Sequence, residues 1–400
     1  MTRKVLLHVG SPKTGTSHLQ DVLFRHQHLL RDHGILYPAD RFDAHFLAAL
    51  DLMKLPWGGL ETQAVGAWER LADQVRDWPG TSIISHEILA VASATQAQQA
   101  IDSLGDAEVH LVLSARDLVR QIPAEWQENV KHRSHVTYAR FLEQIRDPGR
   151  ETRIGSWFWG AQEVPDILAR WGSSLPPERV HVVTVPPPGA ERDELWRRFS
   201  RTFGLDDLPL DLTPERANPS LGVPETALLR RVNARFTSIV APPDYRHLVR
   251  EVLAHQTLSH RESAARLTLP PLAHEWAQDL SRSWIAEIER QGYDVVGDLT
   301  DLIGAPAGEW NDPDAVAARD LLPPAVDAIG ALLVEGARLR DVEERLHGEI
   351  RELRGELDRA RQTVSHRLRR KVVASLEGSA AGRGALDFYR RLRGRSSRSA

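Results

Sequence analysis

The sequence predicts an α/β protein in which a mostly parallel sheet is flanked by helices. Short apolar runs bounded by turn residues recur along its first half, at residues 5–9, 81–85, 109–114 and 180–185. The segments between these runs have helical periodicity, as at residues 64–78 and 118–130. Apolar strands that alternate with helices are typical of a parallel sheet covered by helices. The 400 residues, 42% of them hydrophobic, suffice for one large domain with appendages.

The first apolar run ends in a glycine-rich loop, GSPKTGTS at residues 10–17, which a helix-like pattern follows. A strand, a loop and a helix N-terminus in this order form an anion-binding site. Gly10 and Gly15 have the spacing of the mononucleotide-binding loop G-x-x-x-x-G-K-[ST]. However, Thr16 occupies the lysine position, and Lys13 precedes the second glycine. We therefore expect a P-loop-like sheet whose loop holds a phosphate-like group, and we do not expect an ordinary ATP or GTP loop.

Four polar side chains fall at the carboxyl ends of three predicted strands: Lys13, His86, Glu87 and Arg116. In α/β sheets, functional groups gather at that edge. Transfer of a phosphoryl or sulfuryl group needs donors for its peripheral oxygens, a cation on the leaving oxygen and a base on the attacking hydroxyl. The loop supplies the first two, and Arg116 could fork onto a second phosphate. Either His86 or Glu87 could deprotonate an alcohol.

After residue 189 the pattern becomes helical, at residues 191–203, 224–236, 244–256 and 273–291. These segments predict a helical C-terminal half, in which residues 206–300 form a helical subdomain or lid of a domain that spans residues 1–300. Residues 301–335 are predicted to be a linker, because residues 304–324 are rich in Pro, Ala, Gly and Asp.

Beyond the linker, apolar residues recur in alternating steps of four and three. They are Leu346, Ile350, Leu353, Leu357, Ala360 and Val364. This spacing predicts a short coiled-coil helix over residues 336–365 and, through it, a homo-oligomer. A single amphipathic helix that packs on the body of the protein is the alternative.

Charge is distributed unevenly along the chain. The net charge is −4, but residues 361–400 hold eleven Lys or Arg and two acids, which leaves −13 for the other residues. Residues 366–400 are therefore expected to be a basic, mobile tail that can contact an anionic surface, whereas the acidic body argues against a general nucleic-acid binder. The sequence has no cysteine and no apolar run of the length of a membrane span. We therefore expect a cytoplasmic protein without a transmembrane segment or a thiolate metal site.

Two motifs carry a resemblance to a known family. PKTGTS after the first predicted strand and SARD about 100 residues later resemble the 5′-phosphosulfate loop and the 3′-phosphate motif of PAPS-dependent sulfotransferases. PAPS is 3′-phosphoadenosine 5′-phosphosulfate. The segments WFWGAQEVPDILARW and VHVVTVPPPG are similar to bacterial members as well. The resemblance covers roughly residues 4–205. It implies a sulfotransferase that moves the sulfuryl group of PAPS by in-line displacement to a hydroxyl of a small molecule, glycan or lipid, without a metal.

Carried over position by position, the resemblance implies that Lys13 contacts the bridging oxygen and that Arg116 holds the 3′-phosphate. The 5′ end would take amides and hydroxyls from the rest of the loop, which is Thr14, Gly15, Thr16 and Ser17. The family usually has a serine eight residues after the arginine, but here Ala124 stands at that position. The 3′-phosphate then either loses that contact or takes one from a nearby side chain, the candidates being Gln121, Lys131 and Arg133.

Members of this family use either a histidine or a glutamate near the second strand end as the general base. Adjacent residues on an extended strand point to opposite faces, so only one of His86 and Glu87 is expected to reach the site. The S-x-E pattern is common in members that act on carbohydrate hydroxyls, and it favours Glu87. His86 is the alternative base.

Two other functions fit parts of the pattern. An ATP-dependent small-molecule kinase shares the loop topology, but the displaced lysine and the lack of an evident Walker B acid count against it. A non-catalytic nucleotide-binding scaffold is the second alternative. The joint presence of Lys13, Arg116 and Glu87 counts against the scaffold.

Overall fold

A six-stranded parallel sheet forms the centre of the protein. The computed structural model describes residues 3–213, 220–261, 265–377 and 384, without the side chains of residues 361–367, 369 and 377. The strands are β1 (Lys4–His8), β2 (Ile35–Leu36), β3 (Thr81–Ser85), β4 (Glu108–Ala115), β5 (Val180–Thr184) and β6 (Asp294–Val296). Their order is β2-β3-β1-β4-β5-β6, and each neighbouring pair is parallel. The predicted α/β class with a mostly parallel sheet is confirmed.

Helices connect and cover the strands. The α-helices are α1 (Thr16–Arg25), α2 (Gln27–Asp32), α3 (Ala44–Met53), α4 (Glu61–Ala64), α5 (Ala67–Asp77), α6 (Ala94–Ser103), α7 (Leu118–Lys131), α8 (Tyr138–Arg146), α9 (Arg153–Gln162), α10 (Val164–Gly172), α11 (Glu194–Phe203), α12 (Val223–Phe236), α13 (Pro242–Asp244), α14 (Pro271–Gln291) and α15 (Ala318–Glu377). A π-helix lies at Tyr245–Thr257, and short 3₁₀ turns lie at Glu87–Val91, Pro177–Arg179, Leu258–His260 and Leu299–Leu302.

The sheet is covered on both faces. On one face, Val112 of β4 packs in a buried cluster with Leu19 of α1 and Phe199 of α11. On the other face, a Cβ at Gly172 of α10 would lie only 3.8 Å from Leu111, the neighbour of Val112 on β4. Successive strand residues face opposite sides, so helices lie on both sides of β4. This double burial explains why the central strands are near-continuous apolar runs.

The two edge strands differ from the predicted pattern. β2 has two residues and β6 has three, which is too short for a period to be visible in the sequence. β6 lies within residues 206–300, so that segment contains a strand as well as the predicted helices. Its position is set by pairing with β5, where Val295 stands opposite Val182. The helix predicted at residues 244–256 is present as the π-helix.

The chain divides into two units, Met1–Ile329 and Gly330–Ala400. α15 begins at Ala318, within the predicted linker of residues 301–335, and two of its side chains in the first unit, Leu321 and Ala328, are buried. Burial of these apolar groups favours a helix where composition indicated a linker. Of the predicted tail at residues 366–400, residues 366–377 are helical, and the rest apart from residue 384 lies outside the described residues. None of the helices in the described ranges has an apolar stretch long enough to cross a membrane.

Candidate functional site

The loop between β1 and α1 ends at a helix N-terminus that has no side-chain cap. Lys13 and Gly15 both have positive φ, 65° and 91°, a conformation that glycine adopts readily and lysine rarely. Gly15 is the N-cap of α1 and has no side chain to accept from the first amides of the helix. The His18 amide donates to the Gly15 carbonyl at 3.1 Å, so the amides of Thr16 and Ser17 are the ones that an external acceptor could use, and the helix dipole favours a negative acceptor. The structure therefore confirms the strand, loop and helix order on which the predicted anion site depends.

Gly10 brings the loop into direct contact with the turn that follows β3. Its φ is 123°, and a Cβ at this position would lie 3.0 Å from the carbonyl oxygen of Glu87 and 3.3 Å from Cβ of Ala90. Distances this short leave room for glycine only. The close approach places the turn that carries Glu87 against the predicted anion-binding loop.

A buried hydrogen-bond network supports the loop from below. His8 at the end of β1 contacts Ser85 Oγ through Nδ1 at 2.8 Å and Ser114 Oγ through Nε2 at 3.1 Å. Ser114 Oγ in turn donates to the Gly10 carbonyl at 2.8 Å and lies 2.5 Å from Thr14 Oγ1. Burial lowers the pKa of His8 to about 4. The network ties three strand ends to the loop.

This network was not predicted, although the sequence contains a signal for it. His8, Ser85 and Ser114 are the polar residues at the ends of three apolar strands that were predicted to be parallel. The proton of the Thr14 hydroxyl is already used within the loop, because this hydroxyl donates to the Ser11 carbonyl at 2.6 Å. Thr14 and Thr16 are buried, whereas Ser17 is exposed at the start of α1.

Lys13 is paired with a carboxylate that the sequence did not indicate. Its Nζ donates to Glu128 Oε2 on α7 at 2.6 Å. The same carboxylate lies 3.1 Å from His132 Nε2, 3.7 Å from Arg250 Nη2 and 4.0 Å from Lys131 Nζ. Burial alone would raise the pKa of Glu128, but the hydrogen bond with His132 and the charges of Lys13 and Lys131 hold that pKa well below its usual range. We call this group of five side chains the Glu128 cluster.

The Glu128 cluster concentrates positive charge next to the loop. Its members come from the loop, from α7 and the residue after it, and from the π-helix that carries Arg250. Lys131 is buried, which lowers its pKa to about 8 despite the nearby Glu128 carboxylate. Three cationic side chains around one carboxylate can accommodate further negative charge, because the cluster has more positive than negative groups.

Arg116 at the end of β4 lies beside the same loop. Its Nη1 donates to the Lys13 carbonyl at 3.2 Å, and its Nε is buried and has no partner among the described residues. Burial, helped by the charge of Arg120, lowers the pKa of Arg116 to about 10. A half-buried guanidinium with an unused donor fits an anionic ligand. Asp117, the next residue, is buried and caps α7 by accepting from the Arg120 amide at 2.9 Å.

Two of the three candidate substitutes for the missing serine are otherwise engaged. Gln121 donates through Nε2 to the Pro12 carbonyl at 2.8 Å and to Gln162 Oε1 at 2.9 Å, so it supports the loop backbone. Arg133 donates to the Val240 carbonyl at 2.9 Å, away from the loop. The third, Lys131, belongs to the Glu128 cluster.

A second buried carboxylate lies close to the loop on α7. Glu125 Oε1 accepts from Gln162 Nε2 at 3.0 Å, and burial raises the pKa of Glu125 to about 7 against the influence of Lys13. Gln121 links this pair to the loop through its bond to Gln162 Oε1. This carboxylate was not predictable from the sequence, because a residue in the middle of a helix does not reveal what its side chain will face.

The two candidate bases have different environments. His86 is the N-cap of the turn after β3, and its Nδ1 accepts from the Ile88 amide at 3.2 Å, which assigns the proton of the neutral ring to Nε2. Glu87 Oε2 accepts from Gln20 Nε2 of α1 at 2.9 Å. Burial alone would raise the pKa of Glu87, but His86 and the bond from Gln20 hold that pKa below its usual value. Glu87 is therefore an ionised carboxylate on the side that faces α1.

A row of aromatic rings continues outward from His86. The Phe46 ring lies 5.1 Å from the imidazole, Trp57 lies 5.5 Å from Phe46, and Trp157 of α9 lies 6.1 Å from Trp57, all between ring centroids. Trp157 is exposed, and the other two rings are partly exposed. Aromatic surfaces of this kind bind the flat or apolar face of a ligand.

The fold and the site together define an α/β protein in which the predicted anion-binding loop lies beside a second cationic position at Arg116 and a carboxylate at Glu87. Among the described residues, no group of three or more His, Asp or Glu side chains is placed to hold a metal ion. Comparison with family models and with curated proteins gives no match.

Similar solved structures include the crystal structure of a sulfotransferase from Alicyclobacillus acidocaldarius. It is 16% identical, and the match covers 74% of this chain and 97% of that chain with a TM-score of 0.37. A likeness at this level does not define a function, so the chemistry has to be inferred from the residues of this chain.

Proposed function

We propose that the protein is a sulfotransferase that moves the sulfuryl group of PAPS onto a hydroxyl of a small molecule, glycan or lipid. The observation that carries the proposal is the convergence of Lys13, Arg116 and Glu87 on one anion-binding loop. In the reaction, a bond forms between the acceptor oxygen and sulfur while the bond from sulfur to the bridging oxygen of the 5′-phosphate breaks. PAP leaves, and the acceptor proton passes to a side-chain base.

Three groups of this chain would hold the reacting end of PAPS. The amides at the start of α1 would bind the 5′-phosphosulfate, and Lys13 would neutralise the charge that develops on the bridging oxygen. Since Lys13 is paired with Glu128 at 2.6 Å, the bridging oxygen must compete with that carboxylate. The remaining cations of the Glu128 cluster would keep Glu128 ionised when Lys13 turns toward the ligand.

Arg116 would hold the 3′-phosphate, for which its unpartnered Nε supplies a donor. Ala124 offers no hydroxyl, but Lys131 lies seven residues later on α7 and therefore about two turns along the same helix face. We propose that Lys131 supplies the charge that replaces the family serine. Arg116 and Lys131 would therefore make the site prefer a nucleotide that has a 3′-phosphate.

Nucleotide preference tests the proposal. PAP should bind roughly tenfold to a hundredfold more tightly than ADP, because charge-assisted bonds to the 3′-phosphate are worth about 1.5–3 kcal/mol. Isothermal titration calorimetry would measure both ligands, and Arg116→Ala should remove most of the preference. Arg140→Ala, at an exposed arginine of α8, is the matched control and should change neither affinity. Equal affinities for PAP and ADP in the unmodified protein would contradict the proposal, and a preference for ATP would favour the kinase alternative.

Glu87 is proposed as the base that takes the acceptor proton. His86 fits this role less well, because its Nδ1 lone pair is used by the Ile88 amide and its Nε2 carries the proton. The aromatic row of Phe46, Trp57 and Trp157 would hold a ring or apolar face of the acceptor next to this base.

Turnover with PAPS and any acceptor that supports sulfate transfer tests the choice of base. Glu87→Gln should lower turnover by about 10²–10⁴-fold with nearly unchanged PAP affinity, whereas His86→Asn should have a mild effect. Because the pKa of Glu87 is below its usual value, the rate should stay constant as the pH falls through about 6.5, where a histidine base would be lost. The reverse pattern in the two variants would assign the base to His86. PAP binding without turnover on any acceptor would favour the scaffold alternative.

A further inference from the structure

The part of α15 in the unit Gly330–Ala400 exposes several large apolar side chains to solvent. In α15, every residue from 349 to 360 is exposed, and so is Leu346. Four of these are large and apolar, Leu346, Ile350, Leu353 and Leu357, and their exposed fractions lie between 44% and 62%. A long helix in water gains most of its stability from burying an apolar face, so these side chains call for a packing partner.

The leucines of the heptad pattern extend beyond the short seam predicted from the sequence, whereas the a positions of that extension are Gly336 and Glu343. Leucines recur every seven residues, at Leu332, Leu339, Leu346 and Leu353, all exposed in the same helix. A second set begins at Ile350, three residues before Leu353. In heptad notation Leu332, Leu339, Leu346 and Leu353 are at position d, and Ile350 and Leu357 are at position a. A β-branched residue at a with leucine at d favours two strands.

The charged residues that flank this seam distinguish the possible partners. Glu349 and Glu356 occupy position g, and Arg354 occupies position e. In a parallel, in-register pair, each g residue faces the e residue five positions later in the other strand, so Glu349 faces Arg354 of the partner subunit. In an antiparallel pair, g faces g and e faces e, which would bring glutamates against glutamates. The charges therefore favour the parallel pair of identical strands.

We propose that residues 332–360 pair with the same residues of a second copy of this chain as a parallel, in-register, two-stranded coiled coil. The exposed apolar seam supplies the driving force, and the complementary g and e charges set direction and register. The proposal does not rest on the proposed activity, since it uses only side chains of the second unit.

The full-length chain offers a direct test because it has no cysteine. A single Leu353→Cys substitution would place one thiol at position d, and in the parallel pair the two thiols would face each other within disulfide distance. Glu352→Cys is the matched control, because its position points away from the seam. Mild oxidation should convert most of the Leu353→Cys protein, and little of the control, to a disulfide-linked dimer on a non-reducing gel. Sedimentation equilibrium of the unmodified protein should show a dimer.

Charge reversal tests the direction independently. Glu349→Arg should weaken dimerisation on the order of tenfold, because each dimer then has two like-charged pairs. Adding Arg354→Glu to the same chain should restore the affinity. A monomer at all micromolar concentrations would overturn the proposal. A dimer whose Leu353→Cys form does not cross-link, or cross-links no better than the control, would overturn the parallel, in-register arrangement.

Discussion

Acidification should destabilise the protein through His8, the buried histidine that supports the loop between β1 and α1. Burial lowers its pKa to about 4, from an ordinary value near 6.5. A group whose folded-state pKa is depressed in this way contributes its full stability above the unfolded-state pKa. That contribution is lost as the pH falls toward the folded-state value. The affected window is therefore about pH 6.5 to 4.

The size of the effect follows from the shift. At about 1.4 kcal/mol per pKa unit, the full shift of His8 is worth about 3 kcal/mol, of which about 2.5 kcal/mol is lost by pH 4.5. His45 is also buried, and its pKa is lowered to about 4 for the same reason, so it should add a similar loss. Together these losses are a large share of the 5–15 kcal/mol that is typical of a folded domain.

Urea unfolding followed by tryptophan fluorescence at pH 7.5 and 4.5 would measure the loss. In His8→Gln the difference in the free energy of unfolding between the two pH values should shrink by about 2 kcal/mol, because the titrating group is gone while an amide can still bond Ser85 or Ser114. His28→Gln, at an exposed histidine of α2, is the matched control and should keep the native pH dependence. Identical pH dependence in the unmodified protein and His8→Gln would refute the reasoning.

Two further substitutions probe the loop and its surroundings. Glu128→Gln should lower the free energy of unfolding of the ligand-free protein by about 2 kcal/mol, because the cations of the Glu128 cluster lose their counter-charge. The same variant should bind PAP more tightly, because the ligand no longer competes with the Glu128 carboxylate for Lys13. Calorimetric titration and thermal unfolding would measure the two changes, and weaker PAP binding would contradict the competition. Gly10→Ala should destabilise the protein by more than about 2 kcal/mol, since its Cβ would lie 3.0 Å from the Glu87 carbonyl oxygen. Gly189→Ala is the control, because the φ of Gly189 is also positive, 91°, but a Cβ there would have nothing within 4 Å. Equal losses of unfolding free energy in both variants would show that the contact with Glu87 is unimportant.

Local pattern was enough to predict the central strands, the loop and about half of the α-helices, among them α5, α7, α11, α12 and α14. The strands β1, β3, β4 and β5 are apolar runs long enough to be recognised, and the glycines of the loop mark two of its three positive-φ positions, the third being Lys13. The position of Arg116 after β4 was also predictable, because the carboxyl ends of parallel strands meet at one edge of the sheet. These features depend on residues that are neighbours in the chain.

The partners of the site residues were decided by the tertiary structure. Lys13 and Glu128 are 115 positions apart, and their pairing depends on how α7 leaves the sheet. His8 and Ser114 are 106 positions apart and meet only because β1 and β4 are adjacent strands. The identity of a residue fixes which bonds and charges it can offer, whereas packing fixes which group receives them and how much water is excluded. The pKa values and the supporting network of this site therefore follow from the fold, and the sequence alone could specify only the groups that take part.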